Sequence, residues 1–514
     1  MKSLSFAAFL LLCWLPFARS QVSVLTYHND NMRTGANTNE TELTPATVSS
    51  NAFRRLWSRG VDGYVYAQPL IATGISIPRY GTNTVVYVAT EHDSVYAFDA
   101  ATGRSYWHDK LLPKHGKTLS VRDVECDDLV PEIGITSTPV IDAISGTMYV
   151  LEEGKTNAVF FQRLHALDLG TGAEKFGGPV TLGASVSGTG DGSVGGLVPY
   201  DSLRQLQRCA LLLLNGVVYI ASASECDNDP YHGWILGYEA ANLQQVAVFN
   251  ATPNGNRGGI WMSGCGPAAD SDGNIFFGTG NGTFDADTGG SDYGDCIMKL
   301  DTEAGLTVDD YFTPFNQSDL DAGDLDLGSG GVLLLPDQPG GHPHLAITAG
   351  KEGRVYLLDR DDLGRFNSGS DSQIVQSLPN ATGAAFYTPA YFNGFIYCQG
   401  QGDFLKCFSI TDGLLSTNPV SQTSVAQDFP GSEACVSANG TNNAIVWTLQ
   451  TDGYDDNRPA VLHAYDAHDL TVELYNSNSR HQSPGGAVKF AVPTIANGRV
   501  YVGAVRRLSV YGLE

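Results

Sequence analysis

The sequence predicts an all-β chain folded as an eight-bladed β-propeller, its ring closed by an N-terminal strand that completes the last blade. Three observations predict it. A pair of short strands bounded by Gly/Asp turns recurs eight times along the chain. Several copies follow a short strand-forming stretch that contains proline. The last copy stops at Glu514 without an outer strand, whereas a stretch resembling an outer strand stands alone before the first.

That unpaired stretch is "FRRLWSRGV" (53–61), and pairing it with the last copy would leave the ring without a free edge. The first full unit is "VVYVATEHDSVYAFDAATGRSYW" (85–107): an alternating strand, a polar turn, the strand "SVYAFD", the turn "AATG" and a strand ending at Trp107. The later units lead from "TMYVLEEG" to "RLHALDLGTG", from "GVVYIASAS" to "GWILGYEAANL", and from "GNIFFGTGNG" to "CIMKLDTEAG". They continue from "HLAITAGKEG" to "RVYLLDRDDLG", from "GFIYCQGQG" to "FLKCFSITDG", from "NAIVWTLQTDG" to "VLHAYDAHDL", and from "GRVYVGAV" to "RLSVYGL". The proline-bearing stretches "AQPLIA", "STPVID", "YTPAYF" and "AVPTIA" supply inner strands. All-β self-similarity at roughly 40–70 residues is propeller grammar, and the helical period of 3.6 is absent. One domain over 21–514 follows, because each blade packs only on its neighbours.

Residues 1–20 read as a secretion signal, with Lys2, the apolar run "SLSFAAFLLLCWLPFA", and small Ala18 and Ser20 ahead of Gln21. No later stretch approaches the ~20 apolar residues of a membrane span. A secreted, extracellular protein is expected. Of nine cysteines, Cys13 falls in the signal, and the other eight suit disulfides of open connectivity. Cys398 and Cys407 flank "QGQGDFLK" and are expected to face each other across a hairpin turning at Gly402-Asp403. Six sequons, at Asn39, Asn250, Asn281, Asn316, Asn380 and Asn439, fit a glycoprotein. The formal charge of −25 opposes binding to nucleic acid or anionic membranes.

Residues 276–283, "FFGTGNGT", run an aromatic strand into an asparagine held between glycines. Asn and Gly there serve either a tight turn of positive φ or an amide oxygen aimed at a metal. Other motifs carry less. "GDGSVG" (190–195) lacks the strand–helix setting of a dinucleotide site, and "DADTGGSDYGDC" lacks the final Glu of a calcium loop. Neither G-x-S-x-G nor H-E-x-x-H occurs.

The element "VYAFDAATGxxxW" resembles the repeat of pyrroloquinoline-quinone propellers, which include the eight-bladed quinoprotein alcohol dehydrogenases. Non-catalytic scaffolds share that repeat. A more specific resemblance spans 217–361, where "NRGGIWMSGCGPAADSDGNIFFGTGNG", "GDCIMKLDTEAG" and "GKEGRVYLLDR" keep the order of the quinoprotein dehydrogenases. The resemblance implies that Trp261 floors the quinone, that Asn281 and Glu225 help to hold calcium, and that Lys351 contacts the quinone. It places the catalytic aspartate in "NQSDLDAGDLDLGSGG" (316–331), where Asp326 and then Asp324 are favoured beside the glycine-rich strand start. Asp326 would also face the metal.

The chemistry accounts for those types. Calcium polarises the quinone carbonyl and takes oxygen ligands. A carboxylate removes the alcohol proton, a lysine stabilises charge developing on the reduced ring, and an indole supports it by stacking. Two family features are missing: the adjacent-cysteine disulfide, near which only Cys126 stands, and the aromatic-rich segment around the aspartate. The expected function is therefore oxidation of an alcohol or sugar with pyrroloquinoline quinone and calcium, electrons passing to an external acceptor. The alternatives are a non-catalytic extracellular propeller binding a glycan or protein, and a cofactor-independent enzyme of a secondary-metabolite pathway.

Overall fold

Each repeated unit folds into one antiparallel sheet, and eight such sheets form an eight-bladed β-propeller. The structure, a computed structural model, describes residues 21–303, 305–479 and 481–514. The expected signal at 1–20 lies outside the described residues. The first blade shows the pattern: Leu70–Ile77, Gly81–Thr90, Ser94–Asp99 and Ser105–Lys110 pair in sequence order. The following blades occupy 140–181, 212–250, 268–313, 333–378, 390–427 and 435–476. Burial grades outward. Val85–Ala89 and Val95–Ala97 are buried throughout, whereas Ser105–Lys110 alternates between exposed and half-buried. Strands covered on both faces read as continuous apolar runs, which is what the "VVYVA" segments are.

The eighth blade joins Thr494–Ala496 and Arg499–Leu513 to Phe53–Tyr64. Phe53–Tyr64 runs antiparallel to Arg499–Leu513, from Phe53 opposite Leu513 to Tyr64 opposite Val505. The ring is thus closed by the N-terminal strand, as the sequence predicts. Prolines 69, 139, 389 and 493 each stand one residue before the first strand of a blade, where a missing N–H removes no ladder bond.

A recurring latch joins neighbouring blades. The tyrosine of the second strand donates its hydroxyl hydrogen to a carbonyl just past the third strand of the next blade. Tyr87 bonds Leu169 at 2.8 Å, Tyr149 bonds Ala240 at 2.8 Å, and Tyr397 bonds Ala467 at 2.8 Å. Tyr501 repeats it across the closure, reaching Ala100 at 3.4 Å. Gly103, at φ +67°, lies where a Cβ would be 2.6 Å from Trp57, so the closing strand can press its indole onto the first blade.

The cysteine expectations need correction. Among the described residues one disulfide forms, Cys126–Cys226, across 100 residues of sequence. Cys398 and Cys407 are free and buried. The hairpin sets Cys398 opposite Lys406 and Tyr397 opposite Cys407. That one-residue offset puts the two thiols on opposite faces of the sheet. Asn250 and Asn281 are buried and cannot carry glycans, whereas Asn39, Asn380 and Asn439 are exposed. No helix among the described residues is long and apolar enough to cross a membrane.

Candidate active site

The segments entering the first strands, and the loops between second and third strands, meet in a cavity of about 350 Å³. Seven blades contribute to its wall, so it lies at the hub. Trp261, Asp324, Asp326 and Lys351 line one part of it.

The loop "GTGN" is shaped by close approach. Asn281 does not adopt positive φ, and neither does Gly280. A Cβ on Gly280 would lie 2.3 Å from Asp326 Oδ1 and 2.8 Å from the Trp261 ring. A Cβ on Gly278 would lie 2.8 Å from Gly328. The glycines therefore admit Asp326 and Trp261, and the strap "GGIW" is laced to the loop. Gly280 N–H donates to Gly259 O at 2.8 Å, and Gly258 N–H donates to Asn281 O at 2.8 Å. Immediately after Trp261 the chain turns through two left-handed residues, Met262 (φ 42°) and Ser263 (φ 52°). Such backbone persists only where its surroundings over-determine it. Here Ser263 Oγ donates to Ser329 O at 2.7 Å, tying the strap to the turn that carries Asp326.

Asp326 is fixed from two sides. Its Oδ1 accepts the Asn281 N–H at 2.8 Å, and its Oδ2 lies 2.6 Å from Lys351 Nζ. Lys351 also reaches Asp324 at 3.1 Å. Asp324 is 61% exposed at its side chain and Asp326 5%, so Asp326 is the sheltered carboxylate of the two. Burial alone would lower the Lys351 pKa; Asp326 and Asp324 outweigh it and leave it raised, a firm cation. Asn281 is 3% exposed and its Oδ1 has no partner.

Trp261, Asn281, Asp324, Asp326 and Lys351 are thus brought together. Glu225 directly precedes Cys226 of the cavity wall, on the loop after the strand Val217–Ser222. It is fully buried with both carboxylate oxygens unpartnered, and burial, then Asp128, pushes its pKa up to about 8 despite Arg208. Its charged neighbours include Asp128, Arg208, Glu91 and Glu153. Its sequence neighbour Cys226 lines the cavity, so the disulfide to Cys126 forms part of the wall.

Several lining or supporting groups escaped sequence reasoning. Asp295, the acid of "GDC", is buried beneath Asp326, accepts the Leu327 N–H at 3.0 Å, and leaves Oδ2 without a partner. Burial first, then Asp326, raises its pKa well above the usual range. Asp128, Arg208, Asp227 and Lys489 also line the cavity, with Phe386, Phe429 and Phe490. The available signal was Lys489 in "KFAVP", a cation where the other proline-bearing stretches carry none.

The fold is that of the quinoprotein dehydrogenases. The quinohemoprotein alcohol dehydrogenase of Comamonas testosteroni superposes with a TM-score of 0.64 at 15% identity, over 96% of this chain and 81% of that one. Quinohemoprotein alcohol dehydrogenase ADHIIG of Pseudomonas putida HK5 gives 0.63 at 14%, over 96% and 80%. A europium-containing methanol dehydrogenase gives 0.61 at 12%, over 96% and 98%. At such identities the likeness establishes architecture. No family model matches the sequence, and no curated protein matches it.

The donors fit a hard cation in kind. The unpartnered oxygens of Asn281, Asp295 and Glu225 are the atoms such an ion takes, and no thiol competes, because Cys126 and Cys226 are joined. The indole of Trp261, whose N–H is unpartnered, borders a cavity of a size suited to a small planar molecule.

Proposed function

We propose that this protein is a secreted quinoprotein-like oxidoreductase that oxidises an alcohol or sugar with pyrroloquinoline quinone and calcium, passing electrons to an external acceptor. One observation carries the reading. A buried carboxylate, Asp326, is held by the Asn281 N–H and Lys351 at the edge of a cavity walled by Trp261. Trp261 would support the ring, and Asn281 Oδ1 with Asp326 would hold the ion. When bound, the quinone with its metal supplies the hydride acceptor.

The chain's own groups do the rest. Asp326 Oδ2 takes the hydroxyl proton, and Asn281 N–H keeps that carboxylate in place. Lys351, released from Oδ2 as the proton arrives, remains a cation at the cavity edge. The Cys126–Cys226 disulfide and the phenylalanines exclude water. Glu225, whose two buried carboxylate oxygens are unpartnered, would be a further oxygen donor to the ion.

The test is reconstitution with quinone and calcium, followed by alcohol-dependent reduction of an artificial electron acceptor. Turnover that requires both additions is expected; an inert preparation that nonetheless binds neither would end the reading. One observation favours a second reading, a propeller that binds ligands without a quinone. The Asp324–Lys351–Asp326 ion-pair cluster at the cavity edge also suits a propeller that binds a glycan or protein.

A further inference from the structure

A second charged group, Arg208, Lys489 and Asp128, stands on the cavity wall. Arg208 and Lys489 are 7% and 5% exposed. Each lies 3.7 Å from a different oxygen of the same carboxylate, Asp128. That separation is too long for a hydrogen bond. Among the described residues, the long contact to Asp128 is the ion pair that each cation makes. Buried cations normally have their donors satisfied, and here two cations share the one carboxylate at ion-pair distance.

Aromatic faces surround the pair. The Lys489 ammonium lies 5.8, 5.3 and 5.7 Å from the ring centroids of Phe429, Tyr454 and Phe490. The Arg208 guanidinium lies 4.3 Å over Phe490. Such faces stabilise the cations in the absence of water. They also offer flat surfaces to a planar guest, while the cations' N–H donors can bond an acceptor.

We propose that Arg208 and Lys489 select the substrate, and that it is an alcohol carrying a carboxylate on a planar aromatic body. The acid docks on the two cations beside Asp128, the ring lies against Phe429 and Phe490, and the alcohol is left for Asp326. This rests on the reading of the cavity as an alcohol-oxidising site, and it names that site's substrate class.

The pair also sets a pH signature. Burial first, then Arg208, lowers the Lys489 pKa to about 8, against the opposing pull of Asp128 and Asp455. Asp128 itself stays ionised: burial raises its pKa, but Arg208 and Lys489 outweigh that and leave it lowered. Tyr454, whose ring faces Lys489, has its own pKa raised by burial to about 12 and stays neutral. Lys489 is therefore charged below about pH 8 and neutral above it. Affinity for the acid should fall between pH 7 and 9.

The experiment is calorimetric titration of the full protein, without quinone or metal, using 4-(hydroxymethyl)benzoate and its neutral counterpart 4-methylbenzyl alcohol. The acid is expected to bind at least about tenfold more tightly, a gain of about 1.4 kcal/mol. Lys489→Met should remove that preference, whereas Lys489→Arg should keep it and abolish its fall between pH 7 and 9. Thermal melting confirms that each variant is folded. Equal affinities, no binding of either compound, or an unchanged preference in folded Lys489→Met would overturn the assignment. Competitive displacement of the acid by pyrroloquinoline quinone would also overturn it, because the cations would then hold the cofactor's acidic groups. A parallel quinone titration with calcium separates the two failures. Quinone binding without acid binding sinks only the substrate class, and acid binding without quinone binding sinks only the cofactor.

Discussion

Two groups of buried carboxylates sit near the hub, and the protein treats them in opposite ways. Asp326 keeps a cation at 2.6 Å and a backbone N–H at 2.8 Å, so a charged carboxylate is accommodated. Glu91, Asp93 and Glu153 have no cation bound to them and leave oxygens without partners. Burial first raises all three pKa values, Glu91 to about 8, and neighbouring carboxylates add to it: Glu132 at Glu91, Glu152 at Asp93 and Glu225 at Glu153. Among the described residues, Asp326 has a counter-charge at the cavity and the deeper group has none bound to it. Burying an acid is thus not enough to mark it as catalytic; the counter-charge and the opening to the cavity are what support the role proposed for Asp326.

The comparison breaks most directly at Asp326. Asp326→Asn keeps the shape and removes the base, so turnover of the reconstituted protein should fall by about 10²–10⁴. Glu153→Gln, in the protonated group, should leave turnover within a few-fold of wild type. Equal losses in both would erase the distinction between the two groups.

The wall between them can be weakened next. Replacing both Cys126 and Cys226 by serine removes a closed loop of 100 residues. It should cost roughly 2–4 kcal/mol in denaturant unfolding. The protonated group makes a smaller, pH-dependent contribution. The folded pKa of Glu91, about 8, lies above its ordinary value of 4.5, so the folded state retains a proton that the unfolded state releases. Stability should therefore fall as pH rises from 4.5 to 8. Glu91→Gln should flatten that slope and raise the denaturation midpoint at pH 8. The smallest effect belongs to the latches, remote from both groups. Tyr149→Phe should cost about 1 kcal/mol in chemical denaturation and leave turnover unchanged.

The ring was legible because it is periodic. Strand pairs, proline-led entries and the stray "FRRLW" each repeat or complete a pattern, and local rules suffice to place them. Trp261, Asn281 and Lys351 were legible because they follow short ordered motifs within two adjoining blades. Asp326 was reached by position, and only the glycine clearances at 278 and 280 show why it packs there. Arg208 and Lys489 lie 281 residues apart in sequence and meet on Asp128 only after the ring has closed. The Cys126–Cys226 pairing has the same origin, and eight cysteines with no local motif could not announce it. Glu225 was placed by its rank after a strand, and its buried carboxylate meets acids of other blades that no local pattern brings together.

The central claim is that Trp261 and the oxygens around it form a metal-assisted quinone site. The most direct measurement is tryptophan fluorescence during titration with pyrroloquinoline quinone, with and without calcium, in wild type and Trp261→Phe. The expected result is quenching that depends on calcium and is reduced in the variant. Unchanged fluorescence in wild type, with calcium present, would contradict it.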